Sequence, residues 1–413
     1  MIKAAFKFSF FAYLLLYFTK FYSDGEFSFL DPAKVLLFLT VLAGAVAVLI
    51  EKKKILIVRS LIFFAGYSVF AFLVSTVANE LYLHSDFYSI VYINFIIVAL
   101  TSISVLSLNC FSFDDLIRGL LYVSGMFSLI LISEFLQEHW AIFFSFIPVR
   151  YTGTFRDPNY FSLINILNIA VATIFYARHG NGRLLRLENA GAVIIIISNV
   201  FFLLTTYSRT GFFAGVIFLV TIMWFSGSMT RKKLFYNIIF VFVATMCLWK
   251  GRFFLTNIIN FSRLRFINLT YDASALSRIY EIQSGVNFFI MHPFRAFVGI
   301  GTGVTGLMGY WQSFIVTVGR DTRIHNTYVA LLIENGVFGF SFFMTALFTI
   351  FRKILKLPRI IKGPILGLFL ANLTSALFIW NVYFLPFWLA VFIIPVVAIK
   401  DFVYEAVQGN TEG

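Results

Sequence analysis

The chain has 413 residues, 60% of them hydrophobic and 12% charged, with a formal net charge of +13. Soluble domains run roughly 45–50% apolar and about 25% charged, so a soluble enzyme or binding module is excluded. A surplus of cations in so apolar a chain fits a membrane surface and an anionic substrate, and no nucleic-acid partner is expected.

Apolar runs of the length that crosses a bilayer, about 20 residues, recur along the chain. They predict twelve spans, at 5–22, 33–50, 55–78, 87–108, 116–136, 160–177, 189–207, 211–228, 234–250, 326–351, 364–381 and 384–400. The first run is too long for a signal peptide and no small-residue cleavage site follows it, so it is expected to be a span. The expected fold is all-α: one polytopic membrane domain over 1–413, with about twelve transmembrane helices. One large loop, 251–325, lies within it and is small for a core of its own. No repeat at a fixed period is found, which weighs against a carrier built from two related halves.

Charge placement orients the helices. Lys52-Lys53-Lys54, Arg178, Arg183, Arg186, Arg231-Lys232-Lys233 and the run from Arg352 to Lys362 fall in alternate loops. Twelve spans put them on one face with Lys3, Lys7 and Lys400, a face expected to be cytoplasmic, with both termini inside. That face collects eleven Lys and eight Arg, whereas the other collects three Lys and ten Arg. Guanidinium makes bidentate contacts with phosphate, while ammonium is a hydrated point charge. The inner lysines therefore orient the chain and meet anionic head groups, and the outer arginines point to a phosphate-bearing lipid substrate. Cys110 and Cys247 fall on opposite sides of the bilayer and cannot bridge.

Four outer segments carry the polar residues. In RYTGTFRDPN, Arg150 to Asn159, Asp157 can cap the sixth span with Pro158 at its first position; Arg150 and Arg156 have no such structural reason to be there. Ser208-Arg209-Thr210-Gly211 is a tight turn that holds Arg209 at the bilayer edge. In the loop, 272–291 reads as a helix lying along the membrane surface, with Leu276, Ile279, Ile282, Val286 and Phe289 as its apolar stripe. Arg278 and Glu281 share another face, and His292-Pro293 ends the helix. Gly299, Gly301 and Gly303 then form a GIGTG turn, able to offer N–H groups to phosphate or to be only a turn.

The fourth segment runs from Gly319 to Gly339, GRDTRIHNTYVALLIENGVFG, where the loop re-enters the membrane. His325 is flanked by Arg323 and Asn326, and Asp321, four residues earlier, could orient its ring. Such a histidine can serve as a general base for a hydroxyl nucleophile, or can be a water-facing residue at a helix start. Glu334 should not share the face of His325; before Asn335-Gly336 it is either a functional intramembrane carboxylate or part of a helix break. Outer carboxylates are scattered and no His/Cys cluster has ligand spacing. No metal and no other cofactor is expected, which leaves the arginines to neutralise a pyrophosphate leaving group.

The SRTG turn at Ser208, the stretch SRIYEIQSGVNFFIMHPFRAFVGIGTG and HNTYVALLIENGVFG, in this order, resemble the O-antigen ligase and O-antigen polymerase superfamily of bacterial inner membranes. RYTGTFRDPN resembles that family's segment ahead of its middle spans. The resemblance implies a glycosyltransferase of GT-C type, inverting and metal-independent, that acts at the periplasmic face on glycans carried by undecaprenyl pyrophosphate. It implies catalytic roles for Arg209, Arg278 and His325, with Arg150, Arg156, Asn159, Asp321, Arg323, Asn326 and Glu334 as substrate-binding candidates. Polymerase and ligase share this layout. The Phe- and Ile-rich, sparsely charged composition resembles the polymerases, for which a chain-length regulator protein would be a further partner. A glycolipid flippase, the reading from another class, would place its polar residues near mid-membrane rather than at the outer rim.

Overall fold

Long apolar runs leave the backbone no water to bond, so their N–H and C=O groups must be satisfied within the segment. The computed structural model describes residues 2–19, 32–50, 59–82, 87–139, 151–155, 157–179, 187–226, 282–283, 285–287, 290–301, 324–379, 381 and 384–404. Among these residues all regular structure is helical. The helices are α1 (Ile2–Phe18), α2 (Pro32–Ile50), α3 (Arg59–Tyr82), α4 (Phe87–Cys110), α5 (Phe113–Glu134, continued by a π turn Phe135–His139), α6 (Pro158–His179), α7 (Leu187–Thr205) and α8 (Arg209–Phe225). After them come a short α9 (Pro293–Val298), α10 (Thr327–Ile354), α11 (Arg359–Ser375) and a composite α12. The last joins Leu385–Trp388 and Ile394–Ile399 through π turns at Leu389–Ile393 and Lys400–Tyr404.

Eleven of the twelve expected spans fall on these helices, and the one at 234–250 lies outside the described residues. Among the described residues five segments are long and apolar enough to cross a membrane: Phe113–Gln137, Pro158–His179, Leu187–Thr205, Thr327–Ile354 and Leu385–Phe402. Shorter apolar stretches at Leu36–Ile50, Ile62–Val74, Ile96–Cys110 and Arg209–Phe225 accompany them.

Helices α6 and α12 are the most enclosed of these five spans. The most extensive pairing is α8 against α11; α6 packs on α7, α1 on α2, and α3 on α10. Gly363 and Gly367 bring the backbone of α11 against α8. A Cβ at Gly363 would lie 1.9 Å from Ser226 Oγ and 2.9 Å from its backbone N, and one at Gly367 would lie 3.0 Å from Phe218. Small residues four apart let membrane helices approach this closely. Gly363→Ala is therefore expected to destabilise the protein by about 1–3 kcal/mol through overpacking. Gly191→Ala, where a Cβ meets nothing within 4 Å, should leave thermal unfolding in detergent unchanged.

A polar ladder holds α5, α6 and α7 together. Ser124 Oγ donates to Asn168 Oδ1 at 2.8 Å, Asn168 Nδ2 to Asn199 Oδ1 at 2.9 Å, and Asn199 Nδ2 to Ser128 Oγ at 2.8 Å. All four side chains are buried. Interhelical hydrogen bonds of this kind contribute about 0.6 kcal/mol each in membranes, and they fix rotation as well as proximity.

The two ends of the bundle differ in chemistry. At one end, Lys7 pairs with Asp115 at 2.6 Å and Arg178 with Asp114 at 2.6 Å. There Lys400 Nζ donates to Phe111 O at 2.7 Å, and Phe113 N–H to Asp401 at 2.6 Å. These bonds join the starts of α1 and α5 to the ends of α6 and α12. Arg178 also stacks over Phe402, 4.8 Å from the ring centroid. The starts of α6, α8, α10 and α12 lie at the other end.

Candidate functional site

At that other end the segment before α6 acts as a clasp. Asp157 caps α6 as its sequence suggests: Asn159 N–H donates to Asp157 Oδ1 at 2.7 Å, with Pro158 as the first helical residue. Tyr151 N–H donates to Thr205 O at the end of α7, and Thr154 Oγ1 to Phe18 O at the end of α1, at 3.2 and 2.6 Å. Tyr160 packs on Phe384, ahead of α12, with centroids 4.8 Å apart.

The clasp fixes the turn that carries Arg209. Ser208 caps α8 by accepting from Gly211 N–H at 3.0 Å, and its hydroxyl donates to Asn159 Oδ1 at 2.6 Å. A Cβ at Gly211 would lie 2.4 Å from Ser162 Cβ, so glycine is what lets α6 and α8 start side by side. The turn is tight enough to hold Tyr207 at φ 47, a left-handed conformation uncommon outside glycine. Burial pushes its phenol pKa up. Arg209 follows as the half-buried first residue of α8. A cation is disfavoured there, where the helix dipole presents partial positive charge. Arginine and dipole together favour an anion.

His325 sits two residues before α10 and is half-buried. Asn326 caps the helix: its Oδ1 accepts from Tyr328 and Val329 N–H at 3.0 and 3.1 Å. Thr327 pins this start to the far end of α11. Its N–H donates to Ala376 O at 2.8 Å, and its hydroxyl lies 2.6 Å from Ile379 O and 3.0 Å from Asn381 Oδ1. Phe378, in the same turn, stacks on Phe213 of α8 with centroids 6.3 Å apart. The starts of α8 and α10, with Arg209 and His325, therefore meet the same α11–α12 connection.

Helix α10 is too long to run straight beside α11. Its 28 residues would extend about 42 Å, whereas the 17 of α11 cover about 26 Å between the same two ends. The helix breaks at Gly336, with φ 61 and ψ −175. Carbonyls freed by the break accept from the GIGTG segment, Ile300 N–H to Ile333 O at 3.1 Å and Gly301 N–H to Glu334 O at 2.9 Å. Both glycines at this crossing are required. A Cβ at Gly299 (φ 89) would lie 2.3 Å from Glu334 O, and one at Gly336 would lie 2.3 Å from Phe297 O. These N–H groups thus bond helix carbonyls.

Glu334 is fully buried. Its carboxyl group lies within electrostatic reach of Tyr67 on α3. Arg150, Arg156, Arg278, Asp321 and Arg323 lie outside the described residues, as does most of the expected helix 272–291. Its described portion, 282–283, 285–287 and 290–291, is helical, and His292 ends it. Pro293 then starts α9. Among the described residues no group of three or more His, Cys, Asp or Glu is placed to hold a metal ion.

Residue-level reading missed the Asn159–Ser208 contact, since the partners are 49 positions apart. The available signal was polar residues at the starts of two apolar runs.

No curated protein matches the chain. Residues 191–344 match the family model described as O-Antigen ligase, a stretch that includes Arg209, Arg278, His325, Asn326 and Glu334. That match covers about a third of the chain and agrees with a resemblance to the O-antigen ligase and polymerase superfamily.

Proposed function

We propose that this protein is a polymerase of O-antigen or a related surface polysaccharide. It joins undecaprenyl-pyrophosphate-linked repeat units at the periplasmic face of the bacterial inner membrane. The observation that carries this reading is the shared rim. Arg209 is clamped at the first position of α8, and His325 stands at the start of α10, both against the α11–α12 connection. The family match spans both residues.

In the reaction, a hydroxyl of one lipid-linked unit attacks the anomeric carbon of the glycan on another. The new C–O bond forms as the bond to the pyrophosphate oxygen breaks, and the electron pair leaves on undecaprenyl pyrophosphate. His325, oriented by Asp321, takes the hydroxyl proton. Arg209 and Arg278 take up the charge developing on the leaving group, where fixed cations contribute most. Inversion places base and arginines on opposite sides of the reacting carbon. Arg150, Arg156 and Arg323 are assigned to substrate binding. Asn159 acts by holding Ser208, Asn326 by capping α10, and Glu334 from inside the bundle.

The description of the matched family favours a second reading, a ligase that passes the glycan to lipid A-core. Product length separates the two. Purified protein given only lipid-linked repeat units is expected to yield a ladder of longer glycans. Transfer seen only when lipid A-core is supplied, without a ladder, would establish the ligase.

A further inference from the structure

We infer that residues 290–301 form a hairpin that dips into the acyl layer of the membrane at the rim of the site, with its apolar side against lipid chains. The inference rests on the membrane reading but not on the chemistry proposed for the site.

Contacts with α10 set its depth. Gly285 packs against Val329 and Ile333, Gly299 against the backbone of Glu334 and Asn335, and Phe297 against Phe338, with ring centroids 6.2 Å apart. The chain thus descends beside α10 as far as Phe338 and returns at Ile300. From Phe338 to Arg352, which opens the basic run at the far end of α10, is 14 residues, at most about 21 Å. The hydrocarbon layer is about 30 Å thick. With Arg352 at the far boundary, Phe338 and the tip of the hairpin lie inside the layer, and any tilt of α10 takes them deeper.

The surface chemistry agrees. Ile290, Met291, Phe297 and Val298 are 73%, 59%, 53% and 40% exposed, and they continue onto Val337 and Phe338 of α10, 44% and 55% exposed. In water this would be an uncovered apolar patch at the tip of a loop; within the outer leaflet it is the ordinary lipid-facing surface of a span. Non-helical backbone at membrane depth must be satisfied by protein. Here Ile300 and Gly301 N–H find the carbonyls that the break at Gly336 releases. The result goes beyond a helix lying flat on the surface. The break in α10 seats the loop, so the loop meets the leaflet in which a lipid-linked substrate is carried.

The test is depth-dependent quenching in vesicles, independent of activity. Single cysteines at Ile290, Phe297 and Val298, in a Cys110→Ala, Cys247→Ala background, carry an environment-sensitive fluorophore, with Val220→Cys on α8 as the membrane reference. Emission from 297 and 298 is expected to shift to the blue as at 220. It should be lost with phospholipids brominated in the acyl chain, and aqueous iodide should leave it unchanged. Quenching by iodide together with water-like emission at 297 and 298 would overturn the inference. Should Phe297→Cys fail to accumulate, Val298→Cys and Ile290→Cys give the same two readings.

Discussion

Replacing His325 with alanine is expected to remove most polymer formation, with a loss of about 10²–10⁴ in rate, the usual contribution of a general base. Protein level and donor binding should be little changed. The cap of α10 by Asn326 and its tie to the end of α11 by Thr327 use groups that the variant keeps. Single-turnover rates and equilibrium binding of a lipid-linked unit measure the two quantities. Normal turnover by the alanine variant would make His325 a helix-entry residue and place the base elsewhere.

Arg209→Lys and Arg278→Lys should each be nearly as damaging as the alanine variants, with a loss on the order of 10²–10³, typical of removing one donor to a developing anion. Lysine keeps the charge but loses the bidentate fork. Arg209→Lys separates shape from charge, and the bonds of Ser208 with Asn159 and Gly211 that hold the turn remain in the variant. Full activity in both lysine variants would mean that a general positive field is enough.

The helices were legible because apolar length is a local property. Phe113–Glu134 and Thr327–Ile354 lie within a few residues of the expected 116–136 and 326–351. So was the Asp157 cap, since cap, proline and apolar run are adjacent in sequence. Asn335-Gly336 signalled a break for the same reason. What the break accomplishes was not legible: its released carbonyls are taken by Ile300 and Gly301, a pairing that depends on the path of the loop. The same holds for Ser208 with Asn159, and for the Asn168–Asn199 ladder, whose members read singly as polar residues inside apolar helices. Arg209 and His325 stood out by residue type; their common attachment to the α11–α12 connection is a tertiary fact.

The most direct test of the central claim is the yield of undecaprenyl pyrophosphate from purified wild-type protein given lipid-linked repeat units in the presence of EDTA. If arginines carry the leaving-group charge as proposed, one undecaprenyl pyrophosphate should appear for each new glycosidic bond, at the same rate as without chelator. A reaction that stops in EDTA and returns with a divalent ion would contradict that account, as would bond formation without release of the lipid pyrophosphate.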